Sequence, residues 1–332
     1  MENSQYFSNF FMKTYLGIDV GSISTNLVLI DEKNQVLFSL YLRTEGNPIG
    51  AVQRGLKELK TQISKQNLRV EIAGVGTTGS ARYLAGVITG ADLIKNEITA
   101  HAKGAGFFIP DVRTVIEIGG QDSKIIILEN RVAVDFAMNL ICSAGTGGFL
   151  DAQAFRLKIP IEKFGEIALK SKNPTNIGSR CTVFAESDMI HKQQIGHKTE
   201  DIVAGLCQGL ARNFLNNVAK GKNIQPPIVF QGGVSENIGM RKAFEEALGK
   251  KIIVPPYNTV IGAFGAALLI KEIAPQKTKF LGFEISDKDI KCSSFNCQGC
   301  PNKCEVIEAK IDGKIVARWG DRCGKWSNLN PH

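Results

Sequence analysis

Residues 14–30 read TYLGIDVGSISTNLVLI, two apolar runs separated by a short polar turn. Tyr15, Leu16, Gly17 and Ile18 on one side, and Leu27 to Ile30 on the other, have the length and composition of buried strands. Asp19 closes the first strand, and Gly21, Ser22, Ser24 and Thr25 make the turn. A carboxylate beside hydroxyls and backbone amides suits a Mg2+-bound phosphate tail, with Asp19 acting through metal-bound water. Taken alone, the same residues fit an ordinary β-hairpin with a polar tip. Repetition decides between the two.

The pattern returns further along the chain. Residues 114–118 form a strand, Gly119, Gly120, Gln121 and Asp122 a turn, and residues 124–128 and 132–136 further strands. Then comes Cys142-Ser-Ala-Gly-Thr-Gly-Gly148, a turn that leads into a helix near Phe149. Gly145, Gly147 and Gly148 flank Thr146 and leave backbone amides able to face an anion, at the positive end of that helix. A cysteine at the mouth of such a loop gains thiolate character from the same field. Two strand–turn–strand–strand–helix units in succession predict a duplicated α/β architecture with a cleft between lobes. The turns at Gly21 and Gly119 would grip a phosphate tail from opposite sides.

Working outward, residues 36–42 alternate as a third strand, and Pro48 opens a helix to about Ser64. Residues 70–75 read as a strand, Gly76-Thr-Thr-Gly79 as a second polar loop, and residues 91–104 as helical. His101, with Glu97 one turn earlier, reads as a helix-surface or interface pair. Ile202, Val203, Leu206, Leu210, Phe214 and Val218 recur at helical spacing, with Cys207 among them as a buried small hydrophobe. Residues 228–230 lead into Gly232-Gly233-Val-Ser-Glu-Asn237, whose paired glycines let the backbone approach a flat ring. A helix follows over residues 236–248, and a small-faced one over residues 258–270 carries Gly262, Gly265 and Ala266.

At 332 residues and 43% apolar content, the chain has room for two lobes and an appendage. No run approaches the ~18 apolar residues of a membrane span. Residues 1–13 read as a short extension rather than a secretion signal, which places the chain in the cytoplasm. The net charge of +8 is scattered, without the clustered basic stripe that nucleic acid requires. A basic surface suits an acidic electron carrier or a phosphate-bearing substrate instead. Of eight cysteines, Cys142, Cys181 and Cys207 are spread through the body, whereas Cys292, Cys297, Cys300, Cys304 and Cys323 crowd the end. In a chain without a secretory signal such clustering favours metal binding over disulfides.

Four stretches together point to a family. GIDVGSISTN, EIGGQDSK, QGGVSEN and the helix from Gly262 resemble the phosphate loops, adenosine loop and second connecting helix of one ATPase superfamily. It is the superfamily of actin, the sugar kinases and the heat-shock chaperone ATPases. Within it, NLICSAGTGGFL and RCTVFAESDMI resemble the cysteine segments of 2-hydroxyacyl-CoA dehydratase activators. Benzoyl-CoA reductase ATPase subunits and the reductases of double-cubane-cluster proteins are similar. The resemblance covers roughly residues 14–272. It implies an ATP-dependent iron–sulfur reductase in which two chains share one [4Fe–4S] cluster. ATP hydrolysis would send a low-potential electron from a ferredoxin- or flavodoxin-type donor to a dehydratase, an aryl-CoA reductase or a double-cubane protein. The matching cysteines are Cys142 and Cys181, which a twofold axis doubles into the four thiolates of a cubane. Glu117 stands where family members often carry Asp, in a water-positioning role with Gln121 and Asp122 as companions.

The expected division is an extension over residues 1–13, a first ATPase lobe over 14–110, a second over 111–274, and a cysteine-rich metal-binding tail over 275–332. The tail spacing, Cys292-x4-Cys297-x2-Cys300-x3-Cys304 with Cys323 beyond, fits a second iron–sulfur cluster or a structural zinc. Asp312-Gly313 marks a small hairpin there. Two other functions remain compatible with the fold: a small-molecule kinase, and a zinc-stabilised nucleotide-dependent regulator. A kinase gives no reason for Cys142 beside a phosphate-type loop.

Overall fold

The computed structural model describes residues 11–139, 143–178 and 181–327. The chain is mixed α/β, built on two five-stranded sheets with a three-stranded sheet at the end. It divides into two units: residues 1–21, 25–96 and 266–332, and residues 22–24 and 97–265. Of the expected N-terminal extension only the end is described, and Met12 already opens the first strand.

In the first unit β1 (Met12–Val20) pairs antiparallel with β2 (Ser24–Asp31), and β3 (Val36–Arg43) flanks β2. Helix α1 (Pro48–Lys65) follows because Pro48 fits the first helical position and the Asn47 side chain accepts the Gly50 amide. Val52, Leu56, Leu59 and Ile63 recur on its buried face. The chain then returns as β4 (Val70–Thr78), parallel to β1, and passes through α2 (Arg82–Thr89) to the short β5 (Leu93–Ile94). The sheet order is β3-β2-β1-β4-β5.

The second unit starts with α3 (Glu97–Phe108), followed by β6 (Thr114–Ile118), β7 (Ser123–Glu129) and β8 (Val132–Asn139). Helices α4 (Gly147–Leu157), α5 (Ile161–Leu169), α6 (Thr182–Gln194) and α7 (Thr199–Asn217) precede β9 (Ile228–Gln231). Then come α8 (Ile238–Leu248), β10 (Ile252–Ile253) and α9 (Ile261–Ile273), the last divided between the units at residue 265. The sheet reads β10-β9-β6-β7-β8. Antiparallel pairing of β6 with β7 and parallel pairing with β9 repeat the first sheet strand for strand. The predicted duplication is present in topology and direction.

Two local expectations are corrected. Residues 76–78 are not a loop but the end of β4, with Thr77 and Thr78 buried. A Cβ on Gly76 would lie 2.6 Å from the Ala266 carbonyl oxygen, so small residues there serve the close approach of α9. Residues 91–104 are not one helix: α2 ends at Gly90 in the left-handed region (φ 66°), and β5 intervenes before α3.

The tail is also less detached than its sequence suggests. Ile285 and Ile290 join the core of the first unit with Val52, Leu56 and Leu59, and Phe280 and Phe283 pack against it. Gln53 Nε2 donates to the Lys288 carbonyl (2.9 Å), and the Lys279 amide donates to Asp92 Oδ1 (2.7 Å). Beyond this strap β11 (Ile290–Asn296), β12 (Glu305–Ile311) and β13 (Lys314–Trp319) form an antiparallel sheet. Asp312 and Gly313, both at positive φ, make the predicted hairpin turn. Among the described residues no helix is long and apolar enough to cross a membrane.

Candidate functional site

The first phosphate-type turn belongs to the β1–β2 hairpin. Asp19 is half-buried and lies across from Asn26 on β2 and Thr78 on β4. A Cβ on Gly79 would fall 2.4 Å from Asp19 Oδ1, so the glycine gives that carboxylate its room. Gly21 is fixed from behind: Thr44 Oγ1 donates to its carbonyl (2.9 Å) and lies 3.0 Å from Thr25 Oγ1. Thr25 is fully buried, so its hydroxyl braces the turn from inside. Ser22 is exposed, while Gly21 and Ser24 are intermediate.

The second turn closes the β6–β7 hairpin, where Glu117 faces Lys124 and Ile118 faces Ser123. Gly119 donates to the Asp122 carbonyl (3.0 Å), and Gln121 is exposed at the tip. Gly147 donates to the Gly119 carbonyl and Gly148 to the Gly120 carbonyl, both at 2.8 Å. The expectation that these amides await an anion is therefore corrected. They bind the glycine turn to the start of α4, and Gly147 acts as a support. Thr146 is buried at the start of α4, and Gly145 packs near Asn213 and Asn139.

Gly232 sits at φ 86°, where a Cβ would lie 2.5 Å from the Ile118 carbonyl and 2.6 Å from Glu117 Oε1. Only glycine fits a turn drawn this close to β6. Gly233 next to it is exposed. Asn237 caps α8, its Oδ1 accepting the Met240 amide (3.1 Å). The side chain is thus engaged in the helix cap.

Behind these glycines lies a buried charge cluster that sequence reasoning did not assemble. Lys124 Nζ reaches Glu117 Oε2 (2.9 Å), Asp122 Oδ1 (2.8 Å) and Glu97 Oε1 (3.6 Å). Burial opposes the ammonium, but the carboxylates of Glu117, Asp122 and Glu97 outweigh it and hold its pKa above the ordinary value. Burial pushes the Glu117 carboxyl up, and Lys124 restrains it only in part. His101 is not on a surface: it is buried, with Nδ1 2.8 Å from Gln231 Nε2. Burial, and then the neighbouring Lys124, press its pKa down to about 4. A signal did exist. A lysine that opens the otherwise apolar run KIIIL, opposite Glu117 across a four-residue turn, needs buried partners.

Cys181 is the residue before α6 and is half-buried, with exposed Val183 and Phe184 just after it. Cys142 lies outside the described residues. Glu186, further along α6, pairs with Arg156 of α4 (2.6 Å). Cys207 is buried, and burial alone pushes its thiol up to about 12, as suits an inert core position. In the tail the Cys297 amide donates to the Cys304 carbonyl (2.8 Å) and the Gly299 amide to Cys297 Sγ (3.4 Å). Cys292, Cys300 and Cys323 are exposed. Among the described residues no group of three or more His, Cys, Asp or Glu side chains is arranged to hold a metal ion.

The chain is similar to several known proteins. The activator of 2-hydroxyisocaproyl-CoA dehydratase from Clostridioides difficile is 34% identical over 268 residues, covering 80% of this chain and 97% of that protein. The (R)-2-hydroxyglutaryl-CoA dehydratase activating ATPase of Acidaminococcus fermentans is 37% identical over 256 residues, 76% of this chain and 95% of its own. The solved structure of the C. difficile activator with bound ADPNP matches with a TM-score of 0.70 at 34% identity, over 79% of this chain and 95% of that one. A family model extends the likeness over residues 16–270, from β1 through both glycine turns and Cys181 into α9. The chain belongs to the BadF/BadG/BcrA/BcrD ATPase family.

Proposed function

We propose that the protein is an ATP-dependent activator that spends ATP hydrolysis to pass a low-potential electron to a partner iron–sulfur enzyme. A 2-hydroxyacyl-CoA dehydratase, an aryl-CoA reductase or a double-cubane-cluster protein would be the acceptor. The observation that carries the ATPase half is the buried Glu117–Lys124–Asp122 cluster at the Gly119 turn, with Glu117 Oε1 beside Gly232. Asp19 would hold the water shell of a bound Mg2+, which would offset the charge of the phosphates, and Glu117, with Gln121 and Asp122, would orient the attacking water. The names of the relatives support the activator half, since both are dehydratase activators.

For the electron-transfer half, Cys181 is a half-buried thiol, the soft donor that an iron–sulfur cluster takes. In a homodimer Cys142 and Cys181 of two chains would hold one [4Fe–4S] cluster, which when bound supplies one-electron chemistry. Exposed Val183 and Phe184 give the segment after Cys181 an apolar surface that suits a second copy. A ferredoxin- or flavodoxin-type protein would be the donor.

The test separates the halves. Anaerobically purified Asp19→Ala is expected to lose ATP hydrolysis and keep its iron. Cys181→Ser is expected to lose iron and keep nucleotide binding. A colourless, iron-free parent chain that hydrolyses ATP would sink the electron-transfer half and leave the ATPase standing.

A further inference from the structure

Glu117 has two oxygens in different surroundings. Oε2 accepts from the Lys124 ammonium at 2.9 Å, inside the unit. Oε1 faces the other way, 3.4 Å from where a Cβ on Gly119 would stand and 2.6 Å from one on Gly232. Those two glycines form the turns assigned above to the nucleotide. The carboxylate is therefore held by one oxygen and presented by the other. We propose that Lys124 is the positioning residue of the ATPase site, its ammonium taking Glu117 Oε2 and Asp122 Oδ1 so that Glu117 Oε1 stands ionised toward the glycine turns. The inference rests on the reading of Glu117 as the water-positioning carboxylate.

Glu97 from α3, Glu117 from β6 and Asp122 from the turn share one ammonium from β7, and neutral His101 from α3 completes the surroundings with Gln231 of β9. Burial, and then the Asp122 carboxylate, favour protonation of Glu117, and one cation among three carboxylates leaves a surplus of negative charge around it. Lys124 is the group that opposes it. An ordinary structural ion pair would need a single carboxylate. This ammonium is shared with the turn itself, through Asp122, so the conformation of the turn and the ionisation of Glu117 are set by the same group.

The test is the pH dependence of ATP hydrolysis by the full chain, whose acid limb reports the carboxylate in the enzyme–substrate complex. Lys124→Met is expected to move that limb upward by about one to three pH units, the size of an adjacent opposite charge. ADP affinity measured by calorimetry should stay near that of the parent. Lys124→Arg should restore most of the limb. Glu97→Gln removes a competing carboxylate and should move the limb down, and it decides the matter if Lys124→Met does not fold. A Lys124→Met enzyme whose rate falls equally at every pH would overturn the proposal, as would a Glu97→Gln limb that rises or stays fixed. Glu117→Gln distinguishes the two levels. If it turns over like the parent, the reading of Glu117 is wrong; if it is inactive while the Lys124 and Glu97 limbs stay fixed, only the positioning role fails.

Discussion

Ile285 fastens the C-terminal strap to the first unit, and its replacement gives a quantitative test of how that strap is held. The side chain is 5% exposed and sits in the same cluster as Val52, Leu56 and Leu59 of α1. Ile285→Ala deletes three carbons, which at about 0.8 kcal/mol each gives about 2.4 kcal/mol. Incomplete collapse of the vacated space raises this to about 3–4 kcal/mol. For a unit of this size the unfolding midpoint should fall by roughly 6–16 °C, at about 2–4 °C per kcal/mol. The competing explanation is electrostatic, because Lys57–Asp287 (3.2 Å) and Lys60–Glu284 (3.0 Å) join the same two elements. Both pairs are solvated and screened, so Lys57→Ala with Lys60→Ala should leave the midpoint nearly unmoved. Emission of Trp319, which ends β13, and of Trp326, which packs edge-on against Phe295 of β11, reads this transition from the terminal sheet and its flank; they are the protein's two tryptophans. A chain ending at Gln276 would lose Phe280, Phe283, Ile285 and Ile290 together, and should no longer unfold cooperatively in the first unit. If the lysine double variant costs as much as Ile285→Ala, or the shortened chain melts like the parent, the apolar account is refuted.

Three further outcomes are expected. His101 is neutral in the folded protein with a pKa of about 4 against an ordinary 6.5, so the unfolded chain binds its proton first and stability falls as pH drops through that window. The loss reaches about 3 kcal/mol; urea midpoints measured across this range should decline more steeply in the parent than in His101→Gln, and parallel curves would contradict the burial argument. Gly265→Ala would put a Cβ 1.9 Å from the Ala100 carbonyl oxygen, forcing α9 off α3 at a cost of about 3 kcal/mol or more, whereas Gly249→Ala, at φ 61° in open space, should cost about 1–2 kcal/mol from its backbone alone. Equal chemical-denaturation midpoints for the two would show that the close crossing is not tight. Under native conditions a maleimide should label Cys300 and Cys323 and spare Cys207 until unfolding, with peptide mapping as the readout.

The strands and the duplication were legible because they are local signals. Period-two and continuous apolar runs around GIDVGSISTN and EIGGQDSK needed no knowledge of distant neighbours, and the turn lengths between them set the pairing. What sequence reasoning missed was set by groups far apart in the chain. Gly76, Thr77 and Thr78 have the composition of a loop, yet they finish β4 because they pair with Gly17, Ile18 and Asp19 of β1, and position 76 is glycine because the Ala266 backbone leaves no room for a Cβ. His101 and Glu97 read as a helix-surface or interface pair because their partners, Gln231 on β9 and Lys124 on β7, lie far along the chain, where spacing within α3 cannot point to them.

The glycine loop before α4 shows most clearly why a motif is not yet a site. Gly147 and Gly148 stand at a helix start with amides that no earlier turn of that helix can use, which is the composition of an anion site. Their amides are nevertheless spent on the carbonyls of Gly119 and Gly120. Spending them there has a consequence for the chemistry. The Gly119 turn cannot move relative to α4 without breaking two bonds, so the turn and the start of α4 shift together. On the proposed reading α4 follows the Cys142 segment in the chain and bears Arg156, which holds Glu186 of α6, the helix that Cys181 precedes. A displacement of the Gly119 turn on nucleotide exchange would therefore be carried by α4 toward both cysteine segments through hydrogen bonds and one ion pair. Arg156→Ala tests the last link. It should leave ATP hydrolysis near the parent rate and change how strongly ATP alters the access of a chelator to the iron. Equal chelation behaviour in Arg156→Ala and the parent would remove the α4–α6 bond from the coupling.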